Sequence, residues 1–253
     1  MMPSITVHQF PAALDMQPSA FGLKLETWLR MCGLTHDVSF SAREMGPKGK
    51  VPFATIDGMI MGDSELIIEH LTQKTGISLD DHLDAREKAK STVVRRLTEE
   101  HLYHILVYSR WVDDAGWADF QPLFFGSAPA FIRGFISKKI RKIVTGNLTA
   151  QGIARHTAKE VYAKGKTDLE ALSALLGDRP YFLGETPTEA DASVYGLLAN
   201  IYYSPIRGPL QEFMEKHTNL IRFCERIKAV YWPHSKRGGG EEGGFSSKQV
   251  EAA

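Results

Sequence analysis

Apolar and polar residues alternate from Ile5 to Phe10, the period-two pattern of a strand with one buried face. After a loop holding Pro11 and Pro18, Ser19 stands where an N-cap belongs, and Phe21, Leu25, Trp28, Leu29 and Cys32 form a helical stripe that Gly33 ends. Thr35 to Phe40 reads as a second strand, and Ser41 to Lys50 as a loop or irregular helix. Pro52 then leads an apolar run at the first residue of a strand, where a missing N–H is tolerated. Asp57-Gly58 between Phe53–Ile56 and Met59–Met61 is a strong hairpin signal. Ser64 reads as the cap of a helix that runs to Thr75 and stops at Gly76.

That order, β-α-β then β-β-α, predicts a parallel pair with a right-handed crossover followed by an antiparallel pair. It is the order of a thioredoxin-like α/β sandwich, assigned to residues 1–78. Ile77 to Asp84 is a short acidic linker, and no convincing strand follows it. Asp84 to Arg110 predicts a long helix, with Val93, Leu97, His101, His104 or Ile105, and Tyr108 along its stripe. Trp111 to Pro129 reads as an aromatic-rich loop, and Phe131, Phe135, Ile136, Ile140 and Ile143 as the stripe of an amphipathic helix. Thr149 to Leu176 predicts another long helix, weakened by Gly165. Thr188 to Tyr203 and Pro209 to Val230 complete an all-helical second domain over 79–233. The last stretch, 234–253, has five glycines and few apolar residues and is expected to be disordered.

Composition narrows the function. The 253 residues carry a formal net charge of zero, which argues against general nucleic-acid binding. Two cysteines, Cys32 and Cys224, build no disulfide framework and suggest a reducing compartment. No run of about 18 apolar residues occurs and the start lacks a basic-then-apolar pattern, so a cytoplasmic location is expected.

Candidate chemistry sits first at Gly49 to Ser64. Lys50-Val51-Pro52 presents main-chain groups, with a candidate cis peptide at Pro52. About a dozen residues on, the helix opened by Ser64 has free amides that attract an anion. Together they suit a peptide-like ligand. His101 and His104 with Glu99 and Glu100 have a spacing that metal ligands use, though partly buried helix histidines explain it more simply. Phe120 to Lys159 contains no acidic residue but holds Arg133, Lys138, Lys139, Arg141, Lys142, Arg155 and Lys159. A solvated face explains these too; the sharper readings are an acceptor pocket for an anionic, hydrophobic molecule or a membrane-surface contact.

Val51-Pro52 followed by Asp63-Ser64, with a helical domain behind, resembles the glutathione transferase superfamily. Phe182-Leu183-Gly184, Pro187-Thr188 and Ala190-Asp191 add its second-domain capping box, with aspartate at the last position. Phe21 to Met31, Gly152-Ile153 with Arg155-His156, Asp168-Leu169 with Ala171-Leu172-Ser173, and Asn219-Leu220 with Cys224-Glu225-Arg226 resemble the Fax (failed axon connections) and metaxin-like branch. The likeness spans about residues 5–233. It implies a GST-type helical domain, glutathione as co-substrate, no metal, a homodimer, and transfer to a hydrophobic electrophile, with an anionic one as a variant. It also implies sites.

Holding the glutathione thiol as thiolate about two pKa units below its free value needs about 2.7 kcal/mol. A helix N-terminus supplies only about 0.3–1 kcal/mol, so a directed donor is required. In the superfamily that donor is a tyrosine or serine, or a cysteine takes its place. No tyrosine precedes Tyr103, and Cys32 lies at the wrong end of its helix. Ser19, which matches the family's active-site serine or cysteine position, is therefore the catalytic residue the resemblance implies, with a plain N-cap as the competing reading. Val51, with Pro52, would hold the cysteinyl backbone, Lys50 the glycyl carboxylate, Ser64 the γ-glutamyl carboxylate and Asp63 its ammonium. Ala20 and Gly22 depart from the proline and second cysteine of some members, and without a Cys-x-x-Cys a dithiol cycle is disfavoured. The alternative of another class is a non-catalytic metaxin-like or Fax-like adaptor, or a glutathione-binding protein.

Overall fold

A computed structural model describes residues 2–14, 16–40, 45–126 and 128–235. Part of the 41–50 connection and the tail from 236 onward lie outside the described residues, so the expectations for them stand apart. Strands β1 (Ile5–Gln9), β2 (Asp37–Phe40), β3 (Phe53–Ile56) and β4 (Met59–Gly62) form one sheet in the order β2-β1-β3-β4. β1 runs parallel to β2 and antiparallel to β3, and β3 pairs antiparallel with β4. Helices α1 (Ala20–Met31) and α2 (Ser64–Thr75) cover it. Ile5, Val7, Leu25, Trp28, Leu29, Ile56, Ile67 and Leu71 make the core between them. The β-α-β-β-β-α order is the one the hydrophobic pattern predicts.

The helical part departs from the sequence reading in five places. The long helix continues through α3 (Ala85–Arg96) and α4 (Tyr103–Trp111), but residues Leu97–Leu102 between them form a π-helix. The wider turn shifts the phase of the apolar stripe, so Val94 is buried and Val93 is exposed. The aromatic stretch expected as a loop is helix α5 (Asp114–Phe124), capped by Asp113, which accepts from the amides of Ala115 and Gly116. Its rings sit at helical spacing and pack onto Trp111, with Trp117, Phe120 and Phe124 at centroid distances of 5.5, 5.0 and 5.8 Å. α6 (Ala130–Gln151) turns Ile136, Ile140, Val144 and Leu148 inward, so Phe131, Phe135 and Ile143 of the expected stripe face outward.

The helix expected over 149–176 is broken at Gly152 and resumes as α7 (Ala158–Leu176), because Thr157 and Glu160 form a capping box. Gly165 within α7 marks a close approach: a Cβ there would lie 2.7 Å from Leu210 Cδ2. The last expected helix divides into α9 (Pro209–Met214) and α10 (Thr218–Tyr231), after α8 (Glu189–Tyr202).

α8 is buried along nearly its whole length and packs its backbone against α1. Gly196 permits this, since a Cβ would lie 2.4 Å from the Ala20 carbonyl oxygen. A buried ion pair locks the same contact. Lys24 donates to Glu99 Oε1 at 2.6 Å, and Ser193 donates to the same oxygen at 2.6 Å. α1, the π-helix and α8 are thereby tied at one point.

Candidate functional site

The sheet register gathers the expected site residues at one end of the molecule. His8 pairs with Phe53, and Phe53 pairs with Gly62. The end of β1, the start of β3 and the end of β4 are therefore level, and the loop to Ser19, Lys50-Val51-Pro52 and Asp63-Ser64 all leave from that end.

Ser19 is the N-cap of α1, with extended backbone and a half-buried side chain. Its Oγ accepts from the Gly22 amide at 3.1 Å. Among the described residues its hydroxyl proton has no acceptor, so the group is free to donate outward. The approach to Ser19 is held from below. Ser19 N donates to Gln17 Oε1 at 3.1 Å, Asn200 Nδ2 donates to the Gln17 carbonyl at 3.2 Å, and Arg110 Nη1 donates to the Pro18 carbonyl at 3.0 Å.

Arg110 is the residue the sequence did not single out. It is buried, and its other terminal nitrogen donates to the Asn200 carbonyl at 2.7 Å and Asn200 Oδ1 at 3.0 Å. Among the described residues no carboxylate pairs with it. Burial pushes its pKa down to about 10, which Tyr103 opposes, so the guanidinium stays charged at neutral pH. An uncompensated cation thus sits directly behind the Pro18-Ser19 peptide. A cavity of about 70 Å³ adjoins it, lined by Tyr162, Asn200, Ser204 and Gln211 among others. The sequence signal was one face of the long helix, with Tyr103, Leu106 and Arg110 at i, i+3 and i+7.

No tyrosine of the sheet unit is present, but Tyr103 reaches the site from α4. Its ring meets Phe21 edge-on at 4.8 Å, and Phe10 meets Phe124 at 5.6 Å. These four half-buried rings make two contacts between the two parts of the chain, and Phe21 follows Ser19 by two residues.

Val51–Pro52 is a cis peptide. Val51 is half-buried, and no hydrogen bond among the described residues claims its N–H or C=O. Lys50 is exposed, and its carbonyl accepts from the Gly46 amide at 3.1 Å.

At the third connection the structure corrects the capping assignment. Asp63, not Ser64, is the N-cap of α2: its Oδ1 accepts from Glu65 N at 3.0 Å and Leu66 N at 3.4 Å. Ser64 is the first helical residue and is 6% exposed. A short acceptor one residue before the helix reaches those amides better than a hydroxyl already inside it. Asp63 holds φ 86 and ψ 117, a conformation that costs a non-glycine residue about 1–3 kcal/mol and tends to occur where ligands are clamped. Lys48, rather than Lys50, lies against its carboxylate, at 3.5 Å.

Other candidates separate. Cys32 is the C-cap of α1, far from Ser19, and burial followed by the Glu189 charge pushes its thiol up to about 12. Glu99 turns inward to Lys24, His101 Nδ1 meets Asp168 Oδ2 at 2.6 Å, and His104 Nδ1 meets the Glu100 carbonyl at 2.9 Å. Among the described residues no group of three or more His, Cys, Asp or Glu is arranged to hold a metal.

Residues 20–116 match the glutathione S-transferase N-terminal domain and residues 165–227 its C-terminal domain. The isoprene-epoxide–glutathione S-transferase of Rhodococcus sp. is 31% identical over 238 residues, covering 90% of this chain and 99% of that protein. Failed axon connections of Drosophila melanogaster is 34% identical over 228 residues, 85% of this chain but 54% of that longer protein. Human metaxin-2 is 29% identical, covering 88% of this chain and 86% of its own. Among solved structures, the beta-etherase LigF of Sphingobium sp. superposes with a TM-score of 0.62 at 16% identity, covering 89% of this chain and 95% of that one. A glutathione transferase family member of Pseudomonas fluorescens with two glutathione bound superposes at 0.56 with 16% identity, covering 89% and 88%. The chain belongs to the glutathione S-transferase family, with Failed axon connections and the metaxins among its relatives.

Proposed function

We propose that this chain binds glutathione at the shared end of the sheet and transfers it to a hydrophobic electrophile. The Ser19 hydroxyl carries the reading: it caps α1 through its lone pair and keeps its proton for a thiolate. Val51 has the free N–H and C=O that an extended peptide backbone needs, next to Pro52. Ser64 N–H and Oγ would receive the γ-glutamyl carboxylate, Asp63 Oδ2 its ammonium, and Lys50, with Lys48 beside it, the glycyl carboxylate.

Attack proceeds from the glutathione sulfur. The Ser19 hydroxyl and the dipole of α1 lower the thiol pKa, and the Arg110 cation adds to the same potential. The thiolate sulfur bonds to the electrophilic carbon, and the leaving group or epoxide oxygen takes the bonding electrons and then a proton. Phe10, Phe21, Tyr103 and Phe124 give the acceptor an apolar setting. The 31% identity to an isoprene-epoxide–glutathione transferase supports a small epoxide as the first acceptor to try. The free thiols Cys32 and Cys224 suit the reducing cytoplasm, and a homodimer belongs to the same reading.

One observation favours a second reading. Asp63 already satisfies two amides at the start of α2 and sets a negative charge where a carboxylate would dock. A non-catalytic adaptor, akin to Failed axon connections or the metaxins, would tolerate that arrangement. Calorimetric titration with glutathione, followed by turnover with a small epoxide, separates them. Binding with turnover supports the transferase; binding without turnover supports the glutathione-binding protein; no binding removes both and leaves the ligand-free adaptor.

A further inference from the structure

We infer that the outer face of α6 docks on an anionic lipid bilayer. The helix has 22 residues, about 33 Å at the α-helical rise, and one side is already used. Ile136, Ile140, Val144 and Leu148 pack on the helical core. The opposite side carries Phe131 and Phe135, one turn apart and 87% and 74% exposed. Lys138, Lys139 and Lys142 continue that side over the next two turns, all exposed. Ring faces and ammonium groups therefore share one surface in sequence along the helix.

The charges on this face are free. Arg133 folds back to donate to the carbonyls of Gly126 and Ala128, and Arg141 is held by the carbonyls of Trp111 and Val112 and by Asp114. The three lysines form no ion pair among the described residues, and no acidic residue occurs from Phe120 to Lys159. Lys138 and Lys142 line a shallow groove with Val112, Arg141 and Thr145, open to solvent.

The pattern selects the occupant. A second copy of this face would bring lysines against lysines, which repels. A free anion would use the lysines but leave two phenylalanines in water. An anionic bilayer takes both, with the rings at the acyl boundary and the ammonium groups at the phosphates. The helix would lie on the membrane: among the described residues no helix is long and apolar enough to cross one.

Flotation of the full chain with phosphatidylcholine vesicles, with and without phosphatidylserine, tests this. Binding is expected only with phosphatidylserine, and is expected to fall as ionic strength rises from about 0.01 to about 1 M and screening shortens from about 30 to about 3 Å. The triple variant Lys138→Gln/Lys139→Gln/Lys142→Gln is expected to weaken binding about a hundredfold, near fivefold per lysine. Phe131→Ser/Phe135→Ser is expected to weaken it about tenfold or more. Both variants should keep the wild-type melting temperature, because they alter exposed positions. Inorganic phosphate at millimolar level should not displace the vesicles. Absence of flotation, flotation indifferent to both variants, or full displacement by phosphate overturns the inference. So does sedimentation showing that the phenylalanine variant merely splits a dimer without changing vesicle binding. None of these readouts depends on glutathione.

Discussion

The guanidinium of Arg110 donates to the carbonyl of Pro18 at 3.0 Å, joining residues 92 apart in sequence. Pro18 immediately precedes the cap of α1, so the helical domain fixes the position of Ser19 through one side chain. The same nitrogen fork holds Asn200, whose amide reaches back to Gln17. Replacing Arg110 by methionine removes these donors and leaves buried carbonyls unpaired, at about 1–3 kcal/mol for each group. Arg110→Met should lower the melting temperature and also raise the pKa of bound glutathione. Arg110→Lys should keep much of the electrostatic effect while losing the fork. Melting curves with thiolate titrations check both, and a thiol pKa unmoved in the methionine variant would confine Arg110 to structure.

The Lys24–Glu99 pair is buried on both sides, at 2% and 7% exposure. Removing one member strands the other, typically at about 3–5 kcal/mol, whereas replacing both by apolar residues of similar volume is often neutral. Lys24→Met should therefore be severely destabilised, and Lys24→Met/Glu99→Leu less so, although Ser193 loses its acceptor in the double variant. A double-mutant cycle in urea measures the coupling.

Much of this fold is written in local signals. The Ile5–Phe10 alternation, the Asp57-Gly58 turn and the Thr188–Asp191 box are decided within a few residues, and each stands where the pattern puts it. The phase of the long helix was not legible, because a π-turn changes the stripe by one position and leaves no residue type behind. α5 was hidden by its aromatic density and by Pro122, though Trp117, Phe120 and Phe124 already had helical spacing. Asp63 and Ser64 are both good caps, and only the backbone distinguishes them. Arg110 shared a helix face with Tyr103 and Leu106, but that spacing does not reveal its role, which depends on Pro18 and Asn200 brought to it by tertiary packing.

Acid should attack the molecule at Glu26. Burial acts to raise this carboxyl, but His36, Arg30 and Gln9 outweigh it and hold it below the usual value of 4.5. Gln9 donates to it at 2.8 Å and Arg30 at 3.1 Å, while Arg30 also binds the Tyr231 carbonyl and stacks on Trp232 at 3.7 Å. A lowered folded pKa gives stability that is present above the unfolded value and lost as pH falls through the folded one. The melting temperature should therefore drop as pH falls below 4.5, and Glu26→Gln should start lower but flatten that dependence. Equal slopes in variant and wild type would exclude Glu26 as the acid-sensitive group.

The central claim is that the Ser19 hydroxyl holds a glutathione thiolate, and ultraviolet difference absorbance of bound glutathione across pH measures it directly. Wild type should show thiolate forming about two units below free glutathione. Ser19→Ala should still bind, since Val51 and Ser64 remain, with its thiol pKa returned toward the free value and turnover lost in proportion. Identical thiolate curves for the two proteins, or turnover unchanged in Ser19→Ala, would contradict the account.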